Sequence, residues 1–107
     1  MPTLLSTSAE PDIIVDGRTI MVGRHPVCDV RLISLRISRR HCIMTADWSE
    51  VVVRDLGSTN GTWVNGQRVD SARLKPGDEI FLAHVRYHFE EAQTLRLSVN
   101  ADERMNP

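Results

Sequence analysis

Turn-forming pairs recur along this chain at short intervals, and their spacing leaves little room for helices. Asp16-Gly17, Asn65-Gly66 and Pro76-Gly77 punctuate runs of three to five residues rich in Val, Ile and Thr. Asn-Gly and Asp-Gly favour tight hairpins because these residues accept the positive φ that a type I′ turn demands. The runs cover residues 13–15, 18–22, 30–33, 42–46, 50–54, 62–64, 67–69, 79–83 and 85–89. No window of eleven residues carries the apolar spacing of an amphipathic helix. Short strands at intervals of about eight to twelve residues predict an all-β fold, an antiparallel sandwich or barrel.

A second Asn-Gly pair, Asn60-Gly61, lies five residues before Asn65-Gly66. One hairpin needs one such turn. Asn65-Gly66 sits between 62–64 and 67–69 and supplies it, so Asn60-Gly61 calls for another explanation.

At 107 residues the chain is long enough for one domain. A chain of this size buries roughly two-thirds of its unfolded surface and folds without staples. Cys28 and Cys42 are too few for a disulfide framework and read as reduced, small apolar residues of a cytoplasmic protein. Residues 1–10 have neither the basic nor the apolar region of a signal peptide, and no apolar run approaches ~18 residues. A membrane partner is not expected.

Net charge is −1, yet from 24 to 41 five arginines stand against Asp29 alone, a local +4. A nucleic-acid binder more often carries a strong net positive charge, and exposed aromatics for base stacking are scarce here. Arginine supplies 12 of the 13 basic residues. Its rigid fork meets two oxygens of a carboxylate or phosphate at once, where lysine is a point charge.

Catalytic and metal patterns fail on spacing. No serine lies in a G-x-S-x-G elbow, and no acid is placed to orient a histidine. His25, Cys28, His41 and Cys42 are zinc-ligand types, but neighbours in a strand point to opposite faces, which splits His41 from Cys42. His84 and His88 have the spacing of a helical metal pair; in a strand they stand roughly 13 Å apart.

Three loops remain: Gly23-Arg24, Ser38-Arg39-Arg40-His41 and Ser58-Thr59-Asn60-Gly61. They bring guanidinium forks, a hydroxyl and an amide that both donates and accepts, a set suited to a phosphate dianion carried on a peptide. In order and spacing, G-R at 23–24, C-D-V at 28–30, S-R-R-H at 38–41, R-D-L-G-S-T-N-G-T at 54–62, V-N-G at 64–66 and L-K-P-G-D-E-I at 74–80 resemble the forkhead-associated (FHA) domain. The resemblance covers about residues 12–90. It implies an antiparallel β-sandwich of about eleven short strands, with ligand-binding loops at one end, that binds phosphothreonine peptides.

By position, the resemblance makes Arg24 the main phosphate arginine and Ser38 a hydroxyl donor. Arg39 and Thr59 become supplementary phosphate contacts, Asn60 holds the ligand main chain, and Arg36 faces the third residue after phosphothreonine. Gly23, His41 and Gly61 shape the loops. On this reading Asn60-Gly61 is the ligand clamp. Ala83 departs from the pattern, standing where the family often has glycine.

The implied function is a phosphothreonine-dependent protein–protein interaction module in Ser/Thr kinase signalling, neither an enzyme nor a binder of cofactor, metal or nucleic acid. Its expected partners are phosphothreonine proteins or peptides and a Ser/Thr kinase or its substrates. A phospho-independent scaffold of the same fold, and a nucleic-acid binder using 24–41, remain the alternatives. Residues 1–11 read as a flexible tail, 12–91 as the FHA domain, and 92–107 as an extension forming an edge strand, a helical turn or no fixed structure. If phosphorylated, Thr7, with Glu10 three residues on, would make that tail a ligand in cis; a plain leader is the simpler reading. Trp48 and Trp63 read as packing residues.

Overall fold

The computed structural model describes residues 2–46 and 50–91. Eleven strands follow one another: β1 (Pro2–Ser6), β2 (Ile13–Ile14), β3 (Thr19–Gly23), β4 (Val30–Arg31), β5 (Cys42–Ala46), β6 (Val51–Asp55), β7 (Thr62–Val64), β8 (Gln67–Arg68), β9 (Ser71–Leu74), β10 (Glu79–Leu82) and β11 (Val85–Glu91). Six form one sheet in the order β2-β1-β11-β10-β7-β8, and five form the other in the order β4-β3-β5-β6-β9.

The period-two alternation of the sequence builds the layer between them. Cys42, Met44 and Ala46 of β5 and Val51 and Val53 of β6 face inward from the five-stranded sheet. Leu4 of β1, Ile80 and Leu82 of β10, and Val85, Tyr87 and Phe89 of β11 meet them from the other. Leu32 and Ile37, on the connection from β4 to β5, are also fully inside. Each buried aliphatic or aromatic side chain contributes about 1.5–3 kcal/mol relative to exposure.

Asn65 (φ 50°) and Gly66 (φ 86°) form the tight β7–β8 hairpin. Asn65 also clamps the start of β10: its Nδ2 donates to Asp78 Oδ1 at 3.0 Å and its Oδ1 accepts the Glu79 N–H at 3.0 Å. Asn60 has no positive φ; the left-handed residue of the first pair is Gly61, at 89°. The two Asn-Gly pairs are therefore different objects.

Several expectations need correction. Of the tail expected over residues 1–11, residues 2–11 are not free: β1 pairs with β11 over five residues, and Leu4 is fully buried in the core. Thr7 N–H and Oγ1 both donate to the Arg86 carbonyl, at 3.2 and 3.4 Å. A cis ligand made from Thr7 would have to break these contacts. The sequence showed nine strands and missed β1 and β9: each fully buries only one side chain, and Ser71–Leu74 has no β-branched residue to mark it. The sheets are not wholly antiparallel either, since β3 and β4 pair in parallel through Val22–Val30 and Gly23–Arg31. Trp48 and the extension 92–107 lie outside the described residues.

Candidate functional site

Gly23 closes β3 where the chain crosses the β4–β5 loop. A Cβ there would lie 2.1 Å from the Arg39 carbonyl oxygen, so only glycine allows the two backbones to meet. That approach lets Arg24 N–H donate to Ser38 C=O and His25 N–H to Arg39 C=O, both at 3.0 Å. Cys28 Sγ donates to the same Arg39 carbonyl at 3.2 Å, which ties the thiol to the loop. Burial pushes this thiol above its ordinary range.

Arg24 is half-buried, and its Nε donates to the Ile37 carbonyl at 2.9 Å. One edge of the guanidinium is thereby fixed, and its terminal Nη groups have no partner among the described residues. Ser38 Oγ accepts the Thr59 N–H at 3.1 Å, leaving its own proton to donate elsewhere. Asn60 Nδ2 donates to the Arg36 carbonyl at 2.8 Å, and its side-chain oxygen has no donor among the described residues. These contacts join all three loops singled out from the sequence. Arg36, Arg39 and Thr59 are exposed. Arg36 and Arg39 enter the network through main-chain carbonyls, and Thr59 through its N–H.

His41 underlies the junction and is fully buried. Its Nδ1 accepts the Ser38 N–H at 3.2 Å, so Nε2 carries the proton and donates to Gly61 C=O at 2.9 Å. Burial holds its pKa below the ordinary imidazole range, against the opposing effects of the Gly61 carbonyl and Asp55. Both ring nitrogens are therefore committed, which removes His41 from any zinc set with His25, Cys28 and Cys42. Gly61 itself has no room for a side chain, since a Cβ would lie 2.8 Å from both Arg68 Nε and Trp63 Nε1.

Sequence reasoning missed the groups that hold the 57–62 loop. Asp55 Oδ2 accepts the N–H groups of Gly57 and Ser58, each at 2.9 Å, and Oδ1 accepts Ser58 Oγ at 2.6 Å and Thr62 Oγ1 at 2.7 Å. Burial raises the carboxyl's pKa, but these four donors outweigh it and leave it below the usual carboxylate range. An Asp followed two residues on by Gly-Ser is an Asx-turn pattern, so this signal was present. Arg68 is different. Its Nη2 donates to the Ser58 carbonyl at 3.2 Å, and it pairs across the hairpin with Trp63, whose Nε1 donates to Asn60 C=O at 3.0 Å. Nothing local in the sequence marks that brace.

The arrangement can hold a doubly charged, multi-oxygen group against Arg24 and Ser38 while Asn60 accepts a main-chain N–H. A match to the family model for the FHA domain spans residues 20–83, and the chain belongs to that family.

Over 76 residues it is 42% identical to the glycogen accumulation regulator GarA of Mycolicibacterium smegmatis, covering 71% of this chain and 48% of that protein. It is 40% identical to the oxoglutarate dehydrogenase inhibitor of Corynebacterium efficiens, covering 71% and 54%. The chain thus spans about half the length of the curated relatives it matches. Among solved structures, the FhaA FHA domain complexed with the intracellular domain of Rv3910 superposes with a TM-score of 0.78 at 30% identity, over 84% of this chain and all of that one. The MEK1 FHA domain in complex with a HOP1 phosphothreonine peptide gives 0.71 at 27%, over 83% and 94%.

Proposed function

We propose that this FHA domain is a phosphothreonine-dependent protein–protein interaction module of Ser/Thr kinase signalling, with no catalytic step of its own. The observation that carries the reading is the convergence of Arg24, Ser38 and Asn60. Three separate loops bring them together, and each keeps a polar group uncommitted among the described residues. Arg24 and Ser38 meet the phosphate, with Arg39 and Thr59 at its margin, and Asn60 holds the ligand backbone. Arg36, exposed beside the Asn60 contact, favours an acidic third residue after the phosphothreonine. Similarity to a glycogen accumulation regulator and to an oxoglutarate dehydrogenase inhibitor supports a regulatory role, and a cytoplasmic location is proposed with it. Phosphorylated kinase substrates, metabolic enzymes included, are the partners proposed.

One titration tests this: a threonine peptide in phosphorylated and unphosphorylated forms, with duplex DNA as control, against wild type and Arg24→Ala. Only the phosphopeptide should bind wild type. Removing the arginine deletes two charge-assisted hydrogen bonds, together about 3 kcal/mol, which weakens a micromolar complex about a hundredfold. Equal binding of both peptide forms points to the phospho-independent scaffold. Preferential DNA binding points to the basic strip, and undiminished affinity in a folded Arg24→Ala removes that residue from the site.

A further inference from the structure

The β4–β5 loop carries Arg36, Ser38 and Arg39, yet little apolar packing holds its outer part. Leu32 and Ile37 anchor its two ends in the core, while Ile33 and Leu35 between them are 75% and 85% exposed. Polar contacts must therefore fix residues 33–36. Within the loop, Ile37 N–H donates to Ser34 C=O at 3.1 Å and Arg36 N–H to Ser34 Oγ at 3.3 Å. The strongest external contact comes from outside the family match. Glu10, ten residues ahead of it, accepts the Ile33 N–H at 3.1 and 3.2 Å through its two oxygens and the Ser34 N–H at 2.9 Å.

Glu10 is itself well placed to bear load. Its N–H donates to Ser8 Oγ at 3.3 Å, the next residue's carbonyl accepts Tyr87 Oη–H at 3.3 Å, and Asp12 Oδ1 accepts Ser6 N–H at 2.7 Å. The segment between β1 and β2 is thus pinned on both sides of Glu10. A carboxylate accepting main-chain N–H groups forms charge-assisted bonds, roughly twice as strong as neutral ones.

We propose that Glu10 is a positioning residue for the ligand-binding end. Its carboxylate latches residues 33–34 and so holds the following residues where Arg36 C=O meets Asn60 and Ser38 meets Thr59. The latch touches no ligand. Without it the loop samples other conformations, and the binding-competent fraction, with the apparent affinity, falls in proportion. The effect on binding rests on the phosphothreonine reading above; the effect on the loop does not.

The test compares wild type, Glu10→Ala and Glu10→Gln by amide hydrogen exchange and by titration with the phosphothreonine peptide. In Glu10→Ala, exchange at Ile33 and Ser34 should rise about tenfold or more, while Val53 in the core keeps its protection, because only a local opening is made easier. Phosphopeptide affinity should fall about three- to tenfold, with discrimination against the unphosphorylated form retained. Glu10→Gln, which keeps one acceptor oxygen, should lie between, and it serves as the reading if the alanine variant does not fold. Unchanged exchange at Ile33 and Ser34, or acceleration that includes Val53 equally, overturns the latch. Faster local exchange with affinity within about twofold of wild type overturns its role in binding. A wild type that ignores the phosphate refutes the phosphothreonine reading itself, and the exchange data still decide whether Glu10 holds the loop.

Discussion

Replacing Asp55 by Asn removes one charge from the base of the Asn60 loop and little else. The amide matches the carboxylate in shape, and a suitable flip keeps a hydrogen bond at each of the four positions, although the Ser58 and Thr62 hydroxyl protons lose the acceptor that Oδ1 gave them. Its oxygen then faces the N–H groups of Gly57 and Ser58, and its NH2 faces the hydroxyls of Ser58 and Thr62, which rotate to accept. What is lost is the charge assistance on four hydrogen bonds, on the order of 1 kcal/mol each for a buried group. Asp55 is only half-buried, so solvent screening brings the total nearer ~2 kcal/mol. For a domain of this size that lowers the thermal midpoint by about 8–16 °C. Calorimetry at pH 7 measures it. The sign has a pH signature too. The carboxyl's folded pKa is depressed, so the stabilisation is present above its unfolded value near 4 and is lost as pH falls through the folded value. Wild type and Asp55→Asn should therefore converge in stability only below about pH 4. A midpoint within ~2 °C of wild type at pH 7 would refute the claim that this carboxylate organises the loop.

Gly23→Ala should damage binding and stability together, since its Cβ would overlap the Arg39 carbonyl at 2.1 Å; a well-folded variant with wild-type affinity would show that the β3–β5 crossing is dispensable. Ala83, at φ 56°, occupies a left-handed conformation costing about 1 kcal/mol, so Ala83→Gly should gain ~0.5 kcal/mol after the unfolded-state penalty of glycine, or about 2–4 °C; a lower midpoint contradicts this. His41 is held neutral with a depressed pKa, so the unfolded chain binds more protons below its value near 6.5 and the unliganded domain should lose stability as pH falls from 7 to 5. In His41→Gln that part of the slope should vanish, and an identical slope in both proteins argues against it. Phosphopeptide affinity should separately weaken as pH passes ~6, where the ligand phosphate takes up its second proton, and a flat affinity from 7.5 to 5.5 argues against a dianion ligand.

Short alternating runs, glycine-marked turns and the residue types of loops 23–24, 38–41 and 58–61 are local properties, and the sequence by itself determined them. Most of the strands, the β7–β8 hairpin and the three loops were legible for that reason. So was the separate nature of the two Asn-Gly pairs, because only one is flanked closely by strand on both sides. Tertiary structure decided what depends on partners far along the chain. β1 is a strand because β11 offers it an edge and the core takes Leu4, not because of its own pattern. Arg68 reaches the Ser58 carbonyl, and Glu10 reaches the amides of Ile33 and Ser34. A main-chain N–H or carbonyl carries no side-chain identity, so a contact made to it leaves no motif at the receiving position. The groups proposed to touch the ligand could be named from the family resemblance that these loops carry, whereas the groups that hold them still appear only once the sheets have been folded against each other.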